Sequence, residues 1–339
     1  MVTTRTRAPG LNLAVELGGL AMKNPLTVAS GTFASGREYA ALWRGRAEYD
    51  SGPADGPGPT VADGPEPSVA APLSLLGALI TKGVTLEARP GNPGIRVAES
   101  PSGLLNSIGL QNPGVEAFCQ EELAYLAEQK TAVIVNVSGS SVSDYQAVIE
   151  RLEREEVPQA YELNISCPNV DCGGMAFGVR AVDAERLTRA CRARTARPLI
   201  VKLTPNVTDI TEIARACEAG GADALSLINT VAGMAIDVQR RRPLFERGVA
   251  GLSGPAIKPI ALYAVHRVFR AVDIPLLGMG GIASVEDVVS FMLAGAQAVA
   301  IGTENFRDPF ALPRLLDELI VWCNDNNLKD INELRGALK

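Results

Sequence analysis

A short apolar run, then a polar or glycine-rich turn, then an amphipathic stretch recurs along most of this chain. The apolar runs fall at residues 26–29, 78–81, 133–137, 161–164, 199–203, 224–228, 275–278 and 298–301. Each has the length and composition of a parallel strand buried on both faces. Helical stretches lie between most of them, as at 209–219, 259–271 and 285–294. Ser284 is placed to cap the last of these, with Asp287 three residues on. Gly220-Gly221 and Gly295 stop helices just before strands, so one helix-to-strand joint is used twice. Eight strands in such alternation predict a (β/α)8 barrel, one domain over residues 1–339. Residues 11–23 alternate apolar and polar around Gly18-Gly19, which predicts a β-hairpin at the bottom of the barrel. A doubly wound sheet is the rival fold, but no G-x-G-x-x-G follows the first strand.

Residues 51–72 break the pattern. They are crowded with Pro, Gly, Ala and Asp and hold almost no large apolar side chain, so they read as a flexible surface insertion.

Composition narrows the function classes. The 339 residues are 47% hydrophobic and 21% charged, with a formal net charge of -6. That is ordinary for a globular protein and gives no basic stripe for nucleic acid. No apolar run is long enough to cross a membrane, and the first ten residues lack the apolar core of a signal peptide, which points to the cytoplasm. The six cysteines are scattered and include no Cys-x-x-Cys pair, so neither disulfides nor a metal cluster within this chain is expected. A surface or packing role suits the single histidine, His266, better than a catalytic one.

In a barrel, ligands meet the residues just after each strand. Those positions hold Ser30, Lys82-Gly83, Asn136, Asn164 with Cys167 and Asn169, Lys202, Asn229-Thr230, Gly280-Gly281 and Gly302-Thr303. Asparagine is a poor strand residue, yet three of them end strands that are otherwise apolar. A ring of amides, with donors and acceptors both, suits a planar ligand edged with carbonyls and N–H groups, such as a pyrimidine or a flavin. The glycines after strands seven and eight can present backbone N–H groups to a phosphate. Lys82 and Lys202 near a barrel core need negative charge, and no acid ends a neighbouring strand, so a bound anion is expected. Cys167 lies between two asparagines and before a proline. A thiol there can take a proton, increasingly as pH approaches the roughly 8.5 of an ordinary cysteine.

Several of these segments together resemble the dihydroorotate dehydrogenases. The loop Asn164-Ile-Ser-Cys-Pro-Asn169 is similar to the signature loop of that family. So are Asn106-Ser-Ile-Gly-Leu-Gln-Asn112, Ala29-Ser-Gly-Thr32, Ile228-Asn-Thr230, Leu252-Ser-Gly-Pro-Ala-Ile-Lys-Pro259 and Met279-Gly-Gly-Ile-Ala-Ser284. They occur in order and span nearly the whole chain outside residues 51–72. A cysteine at 167 and the absence of an N-terminal membrane helix resemble the soluble class. Val-Ser-Gly-Ser around Ser138 and the pair Asn169-Val170 are similar to its NAD-linked type B catalytic subunit.

The resemblance implies oxidation of (S)-dihydroorotate to orotate in pyrimidine synthesis. Cys167 would take the C5 proton, and FMN the C6 hydride. Lys82, Asn106, Ser107, Ile108, Gly109, Leu110, Asn164, Asn169, Asn229 and Thr230 would hold the pyrimidine. Ser30, Lys82, Gly83, Asn136, Asn164, Lys202, Ile228 and Gly254 would line the FMN, and Gly280, Gly281, Gly302 and Thr303 would take its phosphate. An electron-transfer subunit with FAD and a 2Fe-2S cluster is implied as partner, in a heterotetramer of two plus two chains. Two features depart from the family pattern: the long insertion, and Glu304, an acid beside the phosphate residues that must point away from them. The rival enzymes are a dihydropyrimidine dehydrogenase, whose loop reads Cys-Pro-His rather than Cys-Pro-Asn, and a fumarate-linked dihydroorotate dehydrogenase. An FMN-free aldolase using Lys202 as a Schiff base is a more distant rival.

Overall fold

The computed structural model describes residues 10–50, 72–165 and 176–339. Eight parallel strands form its centre: β1 Leu26–Val28, β2 Ala78–Ile80, β3 Ala132–Val137, β4 Pro158–Asn164, β5 Leu199–Lys202, β6 Ala224–Leu227, β7 Leu276–Met279 and β8 Ala296–Ile301. Each pairs with its neighbours in sequence, and β8 returns to pair with β1. The ring closes between β1 and β2, where Gly77 N donates to Leu26 O at 2.9 Å and Thr27 Oγ1 donates to Ala78 O at 2.7 Å. This is a (β/α)8 barrel, and every expected strand is present within three residues at each end. β4 starts earlier than its apolar run because Pro158, which lacks an N–H, is tolerated as a first strand residue.

The helices wrap the outside and pack their apolar faces on the strands. Ser284 caps the helix Val285–Leu293 in a reciprocal box with Asp287. The repeated joint behaves as the sequence suggests. Gly221 (φ +94°) and Gly295 (φ +120°) adopt backbone that side chains rarely take. At Gly295 a Cβ would also lie 2.1 Å from the Phe269 ring. His266 is half-buried in the last turn of the helix Lys258–Phe269.

The N-terminal hairpin joins Val15–Leu17 to Leu20–Met22 through Gly18 and Gly19, both at positive φ as a two-residue turn demands. Its turn abuts Asp223 and Pro198, which precede β6 and β5, so the hairpin sits under the N-terminal end of the barrel. The expected insertion lies outside the described residues, apart from Pro72, which opens the one-turn helix Pro72–Leu75.

Sequence reading missed a second sheet. The strands Val97–Ser100, Gly103–Asn106, Ala250–Ser253 and Val231–Gly233 form a four-stranded antiparallel sheet. It is built from the segments after β2 and β6. These strands are half-exposed, three of the four carry a glycine, and their long-range pairing leaves little local signal.

Stability should follow these joints. Gly295→Ala meets both forbidden backbone and Phe269, and should cost about 2–3 kcal/mol. Ser284→Ala loses only the cap and should cost about 1 kcal/mol. Urea midpoints of the two variants should fall in that order; equal midpoints would mean that the joint relaxes freely.

Candidate active site

The residues at the strand ends gather at the C-terminal rim of the barrel. Asn136 ends the inward row of β3, and Gly83 lies beside it just after β2: a Cβ on Gly83 would sit 2.8 Å from Asn136 Oδ1 and 3.1 Å from Ser138 Oγ. Asn164 and Asn229 meet through their amides at 3.4 Å. Lys202, at the end of β5, is buried and donates across the barrel to Ser30 Oγ at 3.2 Å. Asn229 Oδ1 accepts from Thr230 N at 2.8 Å, turning the chain after β6. The peptide between Leu227 and Ile228 is cis, and the Ile228 side chain lies under Gly280.

The antiparallel sheet brings further site residues over the rim. Asn106 Nδ2 donates to Gly251 O at 3.1 Å. A Cβ on Gly251 would lie 2.2 Å from Thr230 Oγ1, so the missing side chain lets Asn106 and Thr230 approach one another. The loop at 107–110 follows. Its shape needs Gly109 (φ +76°) and Leu110 (φ +54°) in left-handed backbone. Two asparagines that sequence reading did not single out hold it there. Asn92 Nδ2 donates to Ser107 O and Ser107 Oγ at 3.2 and 3.0 Å. Asn112 Nδ2 donates to Leu110 O at 2.8 Å, while its Oδ1 accepts from Thr85 N and Gly114 N. Asn112 closes a quoted motif, which was the available signal. Asn92 carried none.

A second cluster forms on the other side of the rim. Gly254 and Gly281 both take positive φ and touch, a Cβ on Gly281 lying 2.7 Å from Gly254 O. Thr303 approaches Gly254 and donates from Oγ1 to Ser253 Oγ at 2.9 Å. Gly302 faces Ala29. The Glu304 carboxylate is taken up by Arg307 at 3.2 Å and Arg314 at 3.9 Å, so its charge is answered by cations. Lys258 is likewise paired, with Asp287.

The electrostatics of the rim are positive. Among the described residues no carboxylate forms an ion pair with Lys82 or Lys202. Burial, and then the neighbouring Arg96, lower the pKa of the Lys82 ammonium. An internal acid nevertheless exists. Glu162, two residues before the end of β4, is wholly buried and accepts from Asn136 Nδ2 and from Ser226 Oγ. The expectation considered only strand ends and so passed over it. An acid within an apolar parallel strand was the signal.

These groups fit a planar ligand that carries ring N–H groups, carbonyls and an anionic tail. Asn136 Oδ1 and Ser138 Oγ are buried with no hydrogen-bond partner, which a native interior seldom tolerates unless a ligand or water completes it. The glycine cluster lets the segments at 254, 281 and 303 pack directly on one another. Cys167 and Asn169 fall outside the described residues.

The four cysteines among the described residues have a plain structural role. Cys119, Cys191, Cys217 and Cys323 are buried, and burial pushes their thiols up to about 11, 12, 12 and 11. They should resist iodoacetamide at pH 8 in the native protein and react after denaturation, as read by peptide mass mapping. Rapid native labelling of Cys191 or Cys217 would contradict this packing.

Comparison with known proteins converges on one family. The family model described as dihydroorotate dehydrogenase matches residues 61–322. The chain is 47% identical over 327 residues to a protein of Alkaliphilus oremlandii, covering 96% of this chain and 99% of that one. It is 47% identical over 329 residues to a protein of Thermoanaerobacter pseudethanolicus, covering 97% and 99%. A protein of Anoxybacillus flavithermus is 48% identical over 324 residues, covering 96% and 95%. All three relatives carry the name dihydroorotate dehydrogenase B (NAD(+)), catalytic subunit.

Proposed function

The chain belongs to the dihydroorotate dehydrogenase family, and from that premise we propose that it oxidises (S)-dihydroorotate to orotate in pyrimidine synthesis. The observation that carries this reading is the rim itself. Amides, hydroxyls and two lysines converge there, the lysines without carboxylate partners among the described residues and the Asn136 carbonyl without a hydrogen bond. Membership of the family implies a flavin, and we assign FMN. Lys202, Ser30, Gly83, Asn136 and Gly254 would line its ring, and Gly280, Gly281, Gly302 and Thr303 would take its phosphate. When bound, FMN supplies the acceptor for the hydride that leaves C6.

The chain's own residues do the rest. Cys167, as thiolate, takes the proton from C5, which is acidified by the adjacent ring carbonyl. Asn164 and Asn229 present amide edges to the pyrimidine, as do Asn106 and Thr230 from the antiparallel sheet. The 107–110 loop, held by Asn92 and Asn112, keeps the ring in place and excludes water. Lys82 faces the substrate carboxylate. Lys202 favours negative charge developing beside Ser30.

The relatives' names mark them as catalytic subunits of an NAD-linked enzyme. We propose the corresponding arrangement here, with electrons leaving for NAD through a partner subunit that carries FAD and a 2Fe-2S cluster, in a tetramer of two plus two chains. The absence of any Cys-x-x-Cys pair from this chain agrees with housing the cluster on the partner.

Anaerobic addition of dihydroorotate should bleach the flavin band of the purified protein, and dihydrouracil should not. Bleaching by dihydrouracil alone would transfer the assignment to a dihydropyrimidine dehydrogenase, and a protein unable to take FMN would end the flavin reading. Cys167→Ala should still bind orotate but bleach about 10²–10⁴-fold more slowly. Near-normal bleaching in that variant would remove Cys167 from the chemistry.

The lowered pKa of Lys82 gives a pH signature. The ammonium is present below its pKa and lost as pH rises through it. Orotate affinity should therefore begin to fall at a pH below the ordinary lysine range, about tenfold per unit beyond that point. Lys82→Met should weaken binding at neutral pH and abolish this limb in titrations of bound orotate. An unchanged limb would assign it to another group.

A further inference from the structure

Glu162 lies in mid-strand on β4, wholly buried among apolar neighbours. A carboxyl group so placed must be supplied with donors. It has one on each oxygen. Asn136 Nδ2, from the register partner on β3, donates to Oε1. Ser226 Oγ, from β6, donates to Oε2 at 2.9 Å. Glu162 thus reaches across the barrel interior just below the rim.

This contact decides how Asn136 is turned. An amide has a donor end and an acceptor end. With Nδ2 committed to Glu162, Oδ1 is left beside Gly83, near Ser138 Oγ, and neither of those oxygens has a partner. Turning the amide over would set its carbonyl against the Glu162 carboxyl oxygen and present an NH2 to the rim instead. Among the described residues no other side chain hydrogen-bonds the Asn136 amide to resist that turn.

We propose that Glu162 is a positioning residue: it fixes Asn136 with the carbonyl toward Gly83, so that this part of the rim accepts a hydrogen bond from a ring N–H of the ligand. The proposal rests on the flavin reading above and adds a residue to it. It also states which polarity the ligand must show there, a donor rather than an acceptor. Glu162 acts through Asn136 and does not itself touch the ligand.

The test compares FMN affinity of flavin-stripped protein by fluorescence titration. Glu162→Gln keeps an acceptor for Asn136 through its own carbonyl and can donate to Ser226 Oγ, so its affinity should stay within about threefold of the parent. Glu162→Met offers no comparable acceptor and should bind FMN about ten- to a hundredfold more weakly. In an Asn136→Ala background, Glu162→Met should produce no further loss, because the residue it positions is gone. Additive losses in that background, or full affinity in Glu162→Met, would overturn the proposal. Should Glu162→Met not yield folded protein by circular dichroism, the Gln variant decides alone, since a loss beyond tenfold there would show that charge and not orientation matters. Failure of the parent protein to rebind FMN would instead defeat the flavin reading itself, and is read before any variant is made.

Discussion

A parallel strand packed on both faces meets no water until its C-terminal end, and that constraint governs where this chain can keep a polar side chain. Below the rim the eight strands carry mainly Val, Ile, Leu and Ala, and the buried polar side chains among them, Thr27, Glu162, Ser226 and Gln297, are each hydrogen-bonded. An amide or a cation there without such a partner would lose its hydration and gain nothing in return. At the rim the strands end, backbone opens, and the same side chains can meet one another or a ligand. Asn136, Asn164, Lys202 and Asn229 all stand within a residue or two of that boundary. Glu162 is the instructive case, because it lies below the boundary. It survives there through Asn136 and Ser226, both of which share the barrel interior.

The rim is completed by segments that are not barrel strands. The chain after β2 and the chain after β6 each leave the barrel and pair with one another as an antiparallel sheet. Their approach is close enough that side chains are missing where they meet. Gly251 yields to Thr230, and Gly103 yields to Ser253 and Gly254. The register of that sheet therefore sets the separation of Asn106 from Thr230, and of Ser253 from Thr303. The barrel strands carry Asn164, Lys202 and Asn229 and the sheet brings Asn106 and Gly254, so both parts of the fold contribute to each side of the proposed site.

The barrel was legible because its signals are local. Short apolar runs, the Ser284–Asp287 box and the Gly221 and Gly295 joints each act within a few residues, and all appear as the sequence suggests. Which residues stand at the rim was legible to the same extent, since position after a strand is itself a local property. What escaped was long-range. Nothing near residues 97–106 announces that their partners lie at 250–253, because four barrel strands and their helices intervene in the chain and the paired strands are short and only partly buried. Asn92 was silent for the same reason: its side chain acts on Ser107, fifteen residues on. Glu162 was overlooked for a different reason. Attention to strand ends treats the strand interior as inert, although an acid inside an apolar run is a stronger sign of purpose than an amide at its end.

The two lysines show how charge is handled once the barrel has placed it. Lys202 is buried and leans on Ser30, a neutral acceptor. Lys82 is more open and stands near Arg96, a second cation that is itself held by the Asn92 and Pro90 carbonyls and by Gln111. A chain of net charge -6 has acids enough to neutralise all three, and elsewhere it does so freely, as with Glu304 and the arginines beside it. Among the described residues none of those acids pairs with Lys82 or Lys202, so an anion entering the rim would meet cations that no carboxylate has taken up. The like charges destabilise the free protein slightly. An anionic ligand relieves that repulsion when it enters, so its binding draws on both its own contacts and the release of strain between the cations. A neutral ring of the same shape would collect only the first, so the carboxylate of the proposed substrate would be favoured at this rim.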